Sequence, residues 1–141
     1  MTLFIPPNVH AQVRAHLEGT FPNEGGGFLI GTLNGQDRTA TEVRIVENVF
    51  ETEEQYHRYL MEEGAFQAAE DYADANGLTL IGYFHSHPDH PAIPSEYDRV
   101  HALPNFLYLI LSIRNGKWAE SLVWELAPDR SQFNSIRLAE K

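Results

Sequence analysis

Two nearly unbroken apolar runs constrain this chain most. Leu78-Thr79-Leu80-Ile81-Gly82-Tyr83-Phe84 leads into His85, and a second run extends from Phe106 to Ile113. A strand that is apolar on both faces must be covered on both, so each run reads as an interior strand of a sheet with other elements packed against it. At 141 residues the chain is long enough to build such a core as one domain spanning 1–141.

The rest of the chain supplies the covering elements. Asn8 can cap a helix over residues 8–19, with Val9, Val13 and Leu17 on one face and Gly19 as its stop. Phe28-Leu29-Ile30 begins a strand that Asn34-Gly35 turns into another at 39–49, a strong hairpin signal. Residues 57–75 read as a single second helix, with Phe66, Ala69, Tyr72 and Ala73 as its apolar stripe. A short helix starts at Ser95 and ends near Leu103-Pro104. Asn115-Gly116 then joins the 106–113 strand to one at 117–126, and a last strand follows at 132–138. The expected class is α/β: a single-domain, mixed, mostly antiparallel β-sheet flanked by helices.

Composition narrows the function. The formal net charge of -10 repels phosphate backbones, so nucleic acid is excluded as a partner. No window approaches the length of apolar residues that spans a bilayer, and Pro6-Pro7 cuts the N-terminal apolar run short, so the expectation is a cytoplasmic protein without membrane association. The absence of cysteine removes disulfides, thiolate ligands and cysteine nucleophiles together.

The chemistry gathers where the first apolar run ends. His85-Ser86-His87 is followed, after the ten residues Pro88 to Tyr97, by Asp98. On an extended strand His85 and His87 point to one face with origins about 6.6 Å apart, close enough to converge on one ion. Ile81 and Tyr83 belong to the same face further back. Two imidazoles and a carboxylate are three zinc ligands, and a catalytic zinc site keeps its fourth position open. Asp98 also has a local use, because Ser95-x-x-Asp98 has the form of a helix capping box, and the two roles compete for its carboxylate. Hydrolysis needs a base as well. Glu24, beside Gly25-Gly26-Gly27, is the candidate, although its spacing equally fits a surface charge beside a tight turn or bulge. His90 and His101 read as bystanders. The donor set also fits a non-haem iron centre. A His-Glu-x-x-His protease motif is absent, and the zinc deaminase signature requires cysteine.

Together these residues resemble the JAMM/MPN+ metallopeptidases: a glutamate on an early strand, then His-x-His, ten residues and Asp, with Ser three before the Asp. His-Ser-His-Pro, Pro-Ser-x-x-Asp, Pro22-Asn23-Glu24, Phe28-Leu29-Ile30-Gly31, Tyr108-Leu109-Ile110-Leu111-Ser112 and Val123-Trp124 are similar to the small prokaryotic branch that processes sulfur-carrier proteins. The resemblance implies a cytidine-deaminase-like fold and one catalytic zinc ion held by His85, His87 and Asp98. It makes Glu24 the general base and then acid, and Ser95 the donor to the oxyanion. It further implies peptidase or isopeptidase cleavage after the C-terminal Gly-Gly of a ubiquitin-like sulfur carrier; the alternative is a non-catalytic scaffold of the same fold. Many relatives carry a cysteine near position 26, where this chain has Gly26.

Overall fold

The two apolar runs pair with each other. In the computed structural model, which describes all of residues 1–141, β4 (Thr79–Pro88) and β5 (Leu107–Arg114) lie parallel in the middle of the sheet, with Gly82 opposite Leu107 and His87 opposite Ser112. A parallel pair needs a crossover rather than a hairpin. The intervening chain supplies it and carries α4 (Glu96–His101). The remaining elements are β1 (Thr2–Ile5), α1 (Pro7–Thr20), β2 (Glu24–Asn34), β3 (Asp37–Phe50), α2 (Glu53–Glu62), α3 (Ala65–Ala75), β6 (Lys117–Leu126) and β7 (Phe133–Glu140).

The strand order is β1-β3-β2-β4-β5-β6-β7, and the sheet closes on itself because β1 pairs in parallel with both β3 and β7. All other neighbours except β4 and β5 are antiparallel. The sheet is therefore mixed and mostly antiparallel, as the sequence implied, but it is a closed barrel-like sheet and not an open one. The element that closes it is β1. Four residues ahead of Pro6 are too few to show a period, and their partners lie at the far end of the chain.

Helices cover both faces of the sheet. Val9, Val13 and Leu17 of α1 pack with Leu29, Phe84, Leu109 and Leu111. Tyr56 and Leu60 of α2 and Ala69 and Ala73 of α3 pack with Phe28, Ile30, Tyr83 and Tyr108. The single helix expected over 57–75 is two. Gly64, at φ 74°, takes a left-handed conformation that breaks the run, and Thr52 starts α2 four residues early by accepting a hydrogen bond from the Gln55 N–H at 3.2 Å. Ile81 departs from the expected face as well. One residue of β2 spans two of β4 there, since Leu29 faces Gly82 and Ile30 faces Leu80. This bulge turns Ile81 toward α1 while Tyr83 faces α2 and α3. No helix is long and apolar enough to cross a membrane.

Candidate metal centre

His85 and His87 occupy the last turns of the pleat before β4 leaves the sheet, so strand periodicity aims both at one side. The crossover then brings α4 back over them, with Asp98 in its first turn. All three side chains are buried, at 3% exposure for His85, 6% for His87 and 3% for Asp98. The two Nε2 atoms are 3.2 Å apart. The Asp98 carboxylate lies 3.5 Å from each imidazole, through Oδ1 to His85 and Oδ2 to His87. A tetrahedral zinc with bonds of about 2.0–2.1 Å sets its ligand atoms about 3.4 Å apart. The 3.2 Å between the imidazole nitrogens and the 3.5 Å from His85 to Oδ1 are close to that edge.

The capping box is also real. The Asp98 N–H donates to Ser95 Oγ at 3.0 Å, and the Ser95 N–H donates to Asp98 Oδ2 at 2.9 Å. The competition for the carboxylate is resolved by dividing it. Oδ2 closes the box, while Oδ1 is buried without a hydrogen-bond partner and faces His85. His87 is oriented from behind. Its Nδ1–H donates to the Pro91 carbonyl at 2.9 Å, which turns Nε2 toward the carboxylates.

Glu24 is the first residue of β2, and β2 runs beside the histidines with Gly26 opposite His85. The register shifts between Glu24 and Gly26, so the glycines form a bulge. The Gly25 N–H donates to the buried Ser86 Oγ at 3.1 Å, fixing the bulge to β4 between the two histidines. Glu24 thereby lines a cleft of about 300 Å³ with Glu53, His87, His90, Ile93 and Ser95. Its Oε2 is buried without a partner.

Two residues on α2 join the site and were not anticipated. Glu53 places Oε1 3.1 Å from His87 Nε2, while its Oε2 accepts a hydrogen bond from Ser95 Oγ at 2.6 Å. One turn on, His57 Nε2 lies 3.7 Å from Asp98 Oδ1. Donor atoms of Glu53, His85, His87 and Asp98 all fall within 4.8 Å of one another. Thr52-x-x-Gln55 is the one sequence signal that would have placed Glu53 in a first helical turn. His90 and His101 stay outside the donor set. The His90 carbonyl accepts from Ser112 Oγ, and His101 stacks on Tyr97 with ring centres 4.0 Å apart.

Burial and neighbouring charges shift the ionisable groups of the site. Burial, and then the neighbouring Glu53 carboxylate, push Glu24 up to about 8. Burial alone would lower His87, but its contacts with Asp98 and Glu53 outweigh that and raise it to about 10. Burial likewise opposes ionisation of Asp98, and the surrounding imidazoles overcome it and hold the carboxyl well below the usual range. Three carboxyl groups and two imidazoles share this buried space, and the donor set of two nitrogens and a carboxylate oxygen suits zinc.

The family described as prokaryotic homologs of the JAB domain matches residues 6–126. A probable TtuB-protein conjugate cleaving protease of Thermus thermophilus is 32% identical over 98 residues, which are 70% of this chain and 62% of that protein. The chain thus spans less than two thirds of that relative's length. Among solved structures, a protein from Desulfitobacterium hafniense superimposes with a TM-score of 0.82 at 26% identity, covering 99% of this chain and 92% of that one. A protein from Salinibacter ruber gives 0.74 at 31% identity, covering 97% and 90%. A JAB1/MPN domain protein from Archaeoglobus fulgidus shares the fold at 0.57 and 14% identity, over 99% of this chain and all of that one.

Proposed function

Because the chain belongs to the family of prokaryotic homologs of the JAB domain, we propose that it is a zinc-dependent peptidase or isopeptidase. Its substrate in this reading is a ubiquitin-like sulfur-carrier protein, cut after the C-terminal Gly-Gly, and residues 1–141 act as one catalytic domain. The observation that carries the proposal is the buried convergence of His85, His87 and Asp98, with the two Nε2 atoms 3.2 Å apart and one Asp98 carboxylate oxygen 3.5 Å from each. The name of the Thermus relative, which describes cleavage of TtuB–protein conjugates, supports the substrate class.

His85, His87 and Asp98 would hold the ion. When bound, zinc supplies Lewis acidity, which polarises a carbonyl and makes water a stronger acid. Glu24 stands across the cleft as the proton carrier. Its partnerless Oε2 takes a proton from the attacking water and delivers it to the departing amine. Ser95, held at the N-terminus of α4, has the hydroxyl that donates to the carbonyl oxygen as it becomes negative. The burial that raises Glu24 is relieved when a cation sits beside it, so the metal and the base depend on each other.

The test is direct. Zinc-loaded protein is incubated with sulfur carriers bearing Gly-Gly-linked C-terminal adducts, and the products are identified by mass. Cleavage after Gly-Gly is expected. Glu24→Gln is expected to keep the metal and lose about 100-fold or more in turnover, the range for a general base. Parental turnover in that variant would remove Glu24 from the mechanism. A protein that binds no zinc and cleaves nothing would be a scaffold.

A further inference from the structure

We infer that His57 is a positioning residue of this centre. Its imidazole, held in an aromatic cage between α2 and α4, donates from behind to Oδ1 of Asp98 and fixes the oxygen that the ion receives. This inference rests on the zinc reading above and adds a support for one of its ligands.

Two buried atoms without hydrogen-bond partners face each other. His57 Nε2 and Asp98 Oδ1 are both left unpaired. They lie 3.7 Å apart, on side chains that are 13% and 4% exposed. An approach of about 0.7–0.8 Å brings them to the usual N–H···O distance of about 2.9–3.0 Å. A buried donor and a buried acceptor are each costly while unpaired, so the pair is drawn together.

Asp98 can serve both sides at once. Its Oδ2 already accepts the Ser95 N–H at 2.9 Å. An ionised carboxylate oxygen accepts at two positions. Oδ1 can therefore take the His57 N–H and keep a lone pair for a cation shared with His85, 3.5 Å away. A backbone N–H on one oxygen and an imidazole on the other fix the carboxylate plane. His57 then does for Asp98 what the Pro91 carbonyl does for His87. His57 reaches the chemistry only through Asp98. It does not line the cleft that holds Glu24. It lines a separate cavity with Tyr56, His85, His101 and Tyr108.

The cage holds the ring in this orientation. Tyr56 meets it edge-on with ring centres 5.4 Å apart, Tyr97 lies at 5.4 Å and His101 at 5.8 Å. The His101 Nδ1–H donates to the Tyr97 carbonyl at 3.1 Å, which ties the α4 side of the cage together. The α2 side is anchored by Tyr56, which is 2% exposed and whose hydroxyl donates to the Phe84 carbonyl at 3.0 Å. A Cβ at position 26 would collide with Tyr56 Cε2, so that ring occupies a notch that exists because residue 26 is glycine. Tyr97 and His101 flank Asp98 on α4, so the same cage docks the short helix that carries the ligand.

His57→Phe keeps a ring in the cage and removes the donor. His57→Gln removes the ring and keeps an N–H donor. Zinc affinity of the full chain and of each variant is measured by competition with a chromophoric chelator, and metal-free stability by thermal unfolding in excess chelator. His57→Phe is expected to bind zinc about 10–100-fold more weakly, the range for losing a partner behind a metal ligand, and to melt with the parent when metal-free. His57→Gln is expected to recover most of that affinity although the ring is gone. A ring that serves packing alone gives the reverse order, with His57→Phe matching the parent and His57→Gln weaker, and that result overturns the inference. Should the phenyl ring destabilise the metal-free protein, His57→Gln against His57→Met, alike in length and different in the donor, replaces that comparison. Equal zinc affinity in those two would overturn the inference as well. His85→Ala is the control for the centre itself. If it binds zinc as well as the parent, the zinc reading fails. If it loses zinc while His57→Phe keeps the parental affinity, the centre stands and the role of His57 is wrong.

Discussion

Replacing Gly26 with alanine tests how α2 is held over the centre. The new Cβ would lie 2.3 Å from Tyr56 Cε2, 2.8 Å from Tyr56 Cζ and 2.6 Å from the Phe84 carbonyl oxygen. Non-bonded carbons rest at about 3.5–4.0 Å, so the ring must retreat by more than an ångström. The Phe84 oxygen belongs to a central strand and cannot yield. Overpacking of a tight core costs about 1–3 kcal/mol. Moving the ring also breaks the 3.0 Å Tyr56–Phe84 hydrogen bond, worth about 1 kcal/mol. The sum is about 2–4 kcal/mol. Unfolding entropy of about 2.1 cal/mol/K per residue over 141 residues gives roughly 0.3 kcal/mol/K, so Tm is expected to fall by roughly 7–13 °C. Thermal unfolding followed by circular dichroism in the presence of chelator removes the metal contribution from the comparison. The cycle is completed with Tyr56→Leu, which removes the ring. In that background Gly26→Ala is expected to cost at least about 1 kcal/mol less, the sign of direct coupling. A cost under about 0.5 kcal/mol, or the same cost in both backgrounds, would show that the ring does not depend on the notch.

Two further outcomes follow from the same geometry. A ligand at a hundredfold excess over its Kd stabilises the native state by about 2.7 kcal/mol, so stripping zinc is expected to lower Tm by roughly 9 °C. His85→Ala is expected to melt at the same temperature with and without zinc; a zinc response that survives in it would place the bound metal elsewhere. His16 makes stability fall on acidification. Burial lowers its imidazole, offset only in part by Glu47. The unfolded chain therefore takes up the proton first, so the contribution is complete above about pH 6.5 and is lost as the pH falls below that value. His16→Gln is expected to flatten the drop in Tm between pH 7 and pH 5, and parallel profiles for the two proteins would contradict it.

What the sequence disclosed follows a physical divide. Elements and residues fixed by short-range periodicity were readable. The apolar runs of β4 and β5 declared themselves as interior strands. Asn34-Gly35 and Asn115-Gly116 marked hairpins, and the structure holds Gly35, Asn115 and Gly116 at positive φ. His85 and His87 shared a face because a strand repeats every two residues. Asp98 was visible through its cap. Features fixed by tertiary placement were not readable. β1 closes the sheet only because β7, more than a hundred residues later, lies beside it. The bulge that turns Ile81 away from Tyr83 is set by β2 and leaves no mark in the sequence of β4. Glu53 and His57 reach the centre because α2 crosses it, and their own neighbourhood in sequence is an ordinary charged helix start.

Ser95 shows why these elements belong to one device. Its hydroxyl accepts the Asp98 N–H and donates to Glu53, using one acceptor position and its single proton. The acceptor half holds the first turn of α4, a helix of only six residues that is too short to persist on its own. That half fixes Asp98 in front of His85 and His87, the three residues proposed to hold the metal. The donor half is the part that can change hands. In the role proposed for Ser95, that proton would pass from Glu53 to a carbonyl oxygen without disturbing the cap or the position of Asp98. A serine meets both demands because its hydroxyl is donor and acceptor at once, and alanine would forfeit both. In the function proposed above, the capping box and the oxyanion donor would be one residue used from two sides.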